Sequence, residues 1–155
     1  MLNLFKKKKL SELYAPVTGK LVSLDCVPDP VFSSRMMGEG VAFEYDSDTI
    51  CAPCDGKIVL IANTKHAVGI NSNGIEILIH VGLDTVNLRG EGFEVLVNIG
   101  DKVKQGDKLL RVNREFMKDH NVNLITPMII TTKDIKLDIS NPSIVDLNSI
   151  VISVK

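Results

Sequence analysis

Tryptophan is missing from this chain of 155 residues, and the other large aromatics amount to five phenylalanines and two tyrosines. A core built from such a sequence has to be aliphatic. An excess of one charge is missing as well. Eighteen basic residues face nineteen acidic ones, for a net charge of -1, and the two signs are interspersed. No global field exists to hold nucleic acid or an anionic membrane, so nucleic acid is not an expected partner. No run reaches the roughly 20 apolar residues of a membrane span. The opening MLNLFKKKKLSEL lacks the apolar stretch of a signal peptide, and the expected location is the cytoplasm. A G-x-x-x-x-G-K-[ST] loop is absent, which excludes that form of nucleotide-phosphate cradle, and the absence of Gly-x-Ser-x-Gly argues against a serine-hydrolase elbow. Cysteines number only three, an odd count that fits free thiols in a chain large enough to fold without disulfides.

Two of those cysteines form Cys51-Ala52-Pro53-Cys54, the spacing of redox and zinc sites. A structural zinc site would need a second such pair, and none exists. An internal comparison gives the better reading. Tyr14-Ala15-Pro16-Val17-Thr18-Gly19-Lys20-Leu21-Val22 lines up with Cys51-Ala52-Pro53-Cys54-Asp55-Gly56-Lys57-Ile58-Val59, so Tyr14 and Val17 stand where the cysteines do. Those positions read as packing sites. A second echo, Gly38-Glu39-Gly40-Val41 against Gly90-Glu91-Gly92-Phe93, adds to the picture of a duplicated β unit.

The rest is a series of short runs of Val, Ile and Leu broken by Asp55-Gly56, Asn73-Gly74, Arg89-Gly90, Ile99-Gly100-Asp101 and Gln105-Gly106-Asp107. Strands at this turn spacing predict an all-β sandwich or barrel. Ile75 to Val81 and Ile125 to Thr131 are its most apolar strands, and the one helical candidate, Arg114 to His120, is a turn or two long. Residues 1–13, with four lysines among Leu and Phe, read as a solvated tail able at most to lie weakly on an anionic membrane. Residues 14–155 are expected to form one domain.

Only three histidines occur, so their placement carries information. His66 and His80 each sit in a strand-like run, joined by Asn71-Ser72-Asn73-Gly74-Ile75. That link suits a three-residue loop, Ser72 to Gly74, with glycine in the left-handed final position. Asn71 then faces Ile75, and His66 falls directly opposite His80. His66, Thr64 and Val68 would share a face with His80, Leu78 and Glu76, and two imidazoles so placed could flank a phosphoryl group or hold a metal ion. A four-residue loop would put them on opposite faces. A neutral imidazole, with an ordinary pKa of about 6.5, keeps one nitrogen free as a nucleophile near neutral pH. His120, in a polar stretch, reads as surface.

Taken together, Thr64-Lys65-His66-Ala67, Ile75-Glu76-Ile77-Leu78-Ile79-His80-Val81-Gly82-Leu83-Asp84-Thr85-Val86 and Gly90-Glu91-Gly92-Phe93 resemble the glucose-family IIA component of the phosphoenolpyruvate-dependent sugar phosphotransferase system. Val27-Pro28-Asp29-Pro30-Val31-Phe32, Met37-Gly38-Glu39-Gly40-Val41-Ala42, Ala52-Pro53-Cys54-Asp55-Gly56 and Thr126-Pro127 extend the likeness over nearly the whole chain. The resemblance implies an antiparallel β-sandwich, or barrel-sandwich hybrid, with a duplicated motif and only short helical turns. It implies that His80 is the phosphorylated residue, loaded from the small carrier HPr and discharged to a cysteine on the IIB domain of a membrane sugar transporter. His66 matches the supporting histidine, and Thr64 matches the threonine of its hydrogen-bond network. Asp29 and Asp84 match acids flanking the site, and Phe32, Met36, Met37, Leu78 and Val86 match its apolar rim, the surface that meets the partners. No cofactor is required. Zinc through His66 and His80, completed by a partner's carboxylate, is the metal the resemblance brings with it, and the carrier is expected to act as a monomer.

Two positions depart from the family pattern. Ala62 stands where some members place a phenylalanine, and Asp138 to Ser149 lacks the glycines often found in the last hairpin. Competing readings are a zinc-binding regulatory protein and a non-catalytic carrier, because Val97 to Leu110 has the turn pattern of biotinyl and lipoyl domains. The Met-Lys-Met signature of those domains is lacking here, and two histidines fall short of the usual four zinc ligands.

Overall fold

The computed structural model describes residues 12–155. Residues 1–11, and with them most of the expected tail, lie outside the described residues. Among the described residues fourteen strands run in the order β1 (Glu12–Tyr14), β2 (Gly19–Ser23), β3 (Glu39–Tyr45), β4 (Thr49–Cys51), β5 (Gly56–Ile61), β6 (Ala67–Ser72), β7 (Ile75–His80), β8 (Phe93–Val95), β9 (Lys102–Val103), β10 (Lys108–Val112), β11 (Thr126–Ile130), β12 (Leu137–Ile139), β13 (Ser143–Val145) and β14 (Ile150–Val154). Among the described residues helix is confined to α1 (Pro30–Ser33), α2 (Arg114–Asp119) and the 3-10 turns Leu24–Cys26 and Thr85–Leu88. Among the described residues no helix is long and apolar enough to cross a membrane.

The strands form an eight-stranded sheet, β13-β2-β3-β11-β7-β6-β5-β9, and two three-stranded ones, β1-β14-β12 and β4-β10-β8. Every neighbouring pair is antiparallel, as the all-β reading requires. β1 begins two residues before the expected domain start. Its Leu13 is fully buried and pairs with Ile152.

Alternation along the strands sorts their side chains into two apolar clusters. Ile77 and Ile79 of β7, with Met128 and Ile130 of β11, enter the main core with Phe43, Leu21, Leu109 and Leu110. The intervening Leu78 and Ile129 point to the other face. There they meet a smaller cluster of Val22, Leu24, Val27, Phe32, Ala42, Leu83 and Ile125. Phe32 of this second cluster lies against His80.

The first internal match is a structural repeat. The Tyr14 N–H donates to the Pro53 carbonyl at 2.8 Å, and the Cys51 N–H donates to the Pro16 carbonyl at 2.9 Å. The two Ala-Pro segments thus exchange the same bond and bring β1 and β4 together. Cys51 and Cys54 are free and buried. Burial raises the Cys51 thiol above its ordinary range and pushes Cys54 up to about 12, so both stay protonated and behave as small apolar side chains. The second echo is not a structural repeat: Gly40 lies inside β3, whereas Gly92 turns the chain at φ +84°. Past Asp138, side chains take the place of the missing glycines. The Asp146 carboxylate accepts from the Asn148 N–H at 2.8 Å, and the Ser149 hydroxyl accepts from the Asp146 N–H at 3.0 Å, closing the turn between β13 and β14.

Candidate functional site

His80 ends β7 on the face that carries Leu78 and the smaller cluster. The register that brings His66 to it differs from the expected one. Ser72 pairs with Ile75 and Asn71 with Glu76, so the hairpin loop has two residues and not three. Asn73 at φ +52° and Gly74 at φ +88° are both left-handed, the conformation an Asn-Gly pair favours in a tight hairpin. The Asn71 side chain adds a bond from the Gly74 N–H at 3.0 Å. One consequence is that Ala67, not His66, opposes His80, and Val68 turns into the main core.

Strict alternation from Ala67 would send the His66 side chain to the wrong face. It does not, because β6 starts one residue later and His66 follows Lys65, whose φ of +64° bends the chain. The backbone still closes the ladder through the Val81 N–H to the His66 carbonyl at 2.7 Å. The two imidazoles come together with centroids 4.7 Å apart and planes at 74°. The pairing inferred from the sequence is therefore present, produced by a bend and not by direct opposition.

Each ring is oriented through Nδ1. In His80 this atom lies 2.8 Å from the Gly82 carbonyl oxygen. A carbonyl can only accept, so Nδ1 carries the proton and Nε2 keeps its lone pair. In His66, Nδ1 lies 2.7 Å from the Thr64 hydroxyl oxygen. Gly82 was not picked out by sequence reasoning, because a backbone acceptor leaves no side-chain signature. Its φ is +78°, and an added Cβ would stand 2.6 Å from Thr85 Cγ2 and 3.1 Å from the Asn123 carbonyl. Gly82→Ala is expected to destabilise the fold by about 1–3 kcal/mol, read as a lower midpoint in urea unfolding.

Both imidazoles are held below their ordinary pKa of 6.5, first by desolvation. For His80 the neighbouring His66 adds to the lowering, while the Gly82 bond and the charges of Asp29 and Asp84 oppose it. The pair is thus neutral at pH 7 and above. A base with a depressed folded pKa contributes stability that is fully present above its unfolded value and is lost as pH falls through the folded one. Urea midpoints should hold level above pH 6.5 as far as these groups are concerned and decline below it. In the His66→Ala/His80→Ala variant that part of the decline should disappear.

The flanking residues fall in several places. Phe32, 3% exposed, lies against His80 with centroids 4.9 Å apart. Leu78 packs on the same cluster. Asp29 caps α1, its carboxylate accepting from the Val31 N–H at 3.0 Å, and Asp84 sits exposed at φ +56° ahead of the 3-10 turn that exposes Val86. Met36 is 76% exposed and with Met37 lines a neighbouring groove shared with Ile130, Thr132 and Ile135. Val31, exposed on α1 beside Phe32, belongs to this apolar surface although its sequence context did not single it out. His120 is exposed as expected, yet it is partnered: its ring stacks on Phe116 at 4.0 Å and Nδ1 meets the Phe116 carbonyl.

A zinc ion would have His66 and His80 as ligands. Among the described residues no third His, Cys, Asp or Glu joins them in a group able to hold a metal, so the pair alone does not complete a tetrahedral site.

Comparison with known proteins bears on the fold and the family of the chain. The glucose permease IIA from Mycoplasma capricolum is similar over 92% of this chain and 94% of its own, with 38% identity and a TM-score of 0.86. Helicobacter pylori Csd3, in its hexagonal crystal, overlaps 77% of this chain and 29% of its own at 15% identity, with a TM-score of 0.47, too low to bear on fold or function. Residues 11–135 match the family model described as phosphoenolpyruvate-dependent sugar phosphotransferase system, EIIA 1, and with this match and the close structural relative the chain belongs to that family.

Proposed function

We propose that Nε2 of His80 is the atom that carries the phosphoryl group in this IIA phosphocarrier, which stands between HPr and the IIB domain of a sugar transporter. In the first step the lone pair of Nε2 attacks phosphorus on phospho-HPr. The P–N bond to the HPr histidine breaks as the new N–P bond forms, and HPr leaves with its ring electrons restored. In the second step a thiolate on IIB attacks, an S–P bond forms, and Nε2 recovers its lone pair.

The observation that carries this reading is the meeting of the two imidazoles, with Nδ1 of His80 committed to the Gly82 carbonyl. That bond selects the nucleophilic nitrogen, and the Thr64 contact aims the second ring. In the tautomer in which the Thr64 hydroxyl donates to Nδ1, Nε2 of His66 bears a proton and can donate to a phosphoryl oxygen. Phosphoryl transfer demands little else of a protein beyond positioning and charge stabilisation. Desolvation under Phe32 shields the labile N–P bond from water. The surrounding apolar side chains, Val31, Met36, Met37, Leu78 and Val86, together with Asp29 and Asp84, offer a docking surface for partners with apolar and basic contacts. No cofactor enters either step, and zinc on the His66–His80 pair would require a ligand from a partner and would occupy the same nitrogens.

The test is direct. The protein is incubated with phosphoenolpyruvate, the general phosphotransferase enzyme and HPr, and acid-labile phosphate is located by mass spectrometry. One phosphate on the peptide containing His80 is expected. Label on His66, or on a cysteine, would refute the assignment.

A further inference from the structure

The contact between Phe32 and His80 depends on α1, and α1 has only four residues. A single helical turn does not hold itself together, because nucleation costs more than one turn of hydrogen bonds returns. Something outside the helix has to fix it. Asp29 caps its start and Phe32 anchors one side, but the largest polar assembly lies at its end. Arg35 sits just past the helix at φ +60°, in the left-handed region that L side chains avoid.

What holds Arg35 there is a fan of acceptors around its guanidinium. Nη1 donates to the Asp25 carboxylate at 2.7 Å and to the Ser33 carbonyl at 3.0 Å, while Nε reaches both Glu39 oxygens at 3.0 and 3.2 Å. Asp25 belongs to the Leu24–Cys26 turn, and Glu39 opens β3 of the large sheet. Glu39 is steadied in turn by the Gly40 N–H at 3.1 Å. One side chain therefore ties the helix, the preceding turn and the sheet together. Arg35 is about one-third exposed and its carboxylate partners more so, 73% for Asp25 and 43% for Glu39; it is their joining in one network that sets these contacts apart from isolated surface pairs. The guanidinium is raised above its ordinary pKa, first by Asp25. Strained backbone held by its surroundings tends to mark functional positions.

We propose that Arg35 is a positioning residue for phosphoryl transfer, its guanidinium clamp setting the pose of α1 that lays Phe32 against His80. The kinetic part of this proposal rests on the assignment of His80 as carrier; the geometric part does not. Arg35 touches neither reacting nitrogen and acts through Phe32 and the Asp29 end of the helix.

Arg35→Gly separates clamp from strain, since glycine accepts φ +60° freely but cannot span the acceptors. Two readouts apply. The first is NMR of the His80 ring: in Arg35→Gly the Phe32–His80 nuclear Overhauser contact should weaken, and the His80 titration midpoint should rise as desolvation loosens. His66 and Asp84, which also act on His80, lie outside α1, whereas Asp29 caps the helix and moves with it, which offsets part of that rise. The second is kinetic: kcat/KM for loading from phospho-HPr should fall about tenfold, in keeping with the sensitivity of transfer to small misplacements. Arg35→Lys, which keeps the charge without the planar fork, should recover part of both. Should Arg35→Gly fail to fold, Glu39→Gln gives the same readouts with a smaller change in the same direction. An unchanged Overhauser contact and midpoint in a variant that has only lost stability would overturn the proposal. If wild-type His80 takes no phosphate, the carrier assignment fails, and the NMR readout still decides the clamp.

Discussion

Replacing His80 with alanine is expected to bring phosphoryl loading from phospho-HPr to background while leaving the fold intact. The reason lies at Nδ1. Because that atom donates to the Gly82 carbonyl, the lone pair of the ring sits on Nε2, and alanine removes the nucleophile outright. His66 is 4.7 Å away but is no substitute. Its Nδ1 faces Thr64, and its ring lies on a bend, so reaching the position of the lost nitrogen would require a backbone shift. The side chain deleted is partly exposed at the end of a strand, and the loss of its Phe32 contact and Gly82 bond should cost no more than the usual single substitution. Mass spectrometry after incubation with the loading enzymes, beside a thermal unfolding curve, checks both halves. Persistent acid-labile phosphate in a folded His80→Ala protein is the outcome that would sink the carrier assignment.

The second large effect is expected for His66→Gln, which should still accept the phosphoryl group yet slow its onward transfer by about 10²- to 10³-fold, the loss typical of one removed oxyanion donor. The asymmetry follows from the nucleophiles. Loading brings a neutral imidazole to the phosphorus, whereas discharge to a cysteine brings a thiolate, and the transition state then holds one more negative charge. An imidazole can answer by taking a proton, since a phosphate beside it favours the charged form; a glutamine amide cannot. Single-turnover loading and discharge, followed separately by quenched flow, distinguish the two steps. Equal losses in both directions would mean that His66 serves only to position the group.

The sequence made the pairing of the two histidines legible and left the route to it open. The lone pair of histidines in apolar runs, their spacing around Asn73-Gly74 and the neighbouring Thr64 were enough to mark the candidates. A loop of three residues follows if glycine alone is left-handed, whereas Asn73 is left-handed too and the loop has two. That difference cancels against a second feature that no periodicity reveals, the left-handed Lys65 that swings His66 back to the face of His80. A β-branched residue at 65 would have warned against such a bend; lysine says nothing either way. Likewise the Tyr14–Val22 and Cys51–Val59 match pointed to a real duplication, since both segments repeat the same turn chemistry. The echo at Gly40 and Gly92 did not, because short glycine motifs recur wherever chains turn or approach closely.

By itself the sequence determined that this is an all-β chain with an aliphatic core, free packing cysteines and two histidines placed to flank a phosphoryl group or hold a metal ion. These follow from composition and local patterning, which act between near neighbours along the chain. Only the tertiary structure decided that Phe32 covers His80, that the Gly82 carbonyl accepts from Nδ1 of His80 and leaves Nε2 its lone pair, and that Arg35 links the end of the helix bearing Phe32 to Asp25 and Glu39. Each of these is a contact whose geometry depends on backbone bends and on elements brought together by the sheet, and side-chain identity alone does not encode where a bend will aim it.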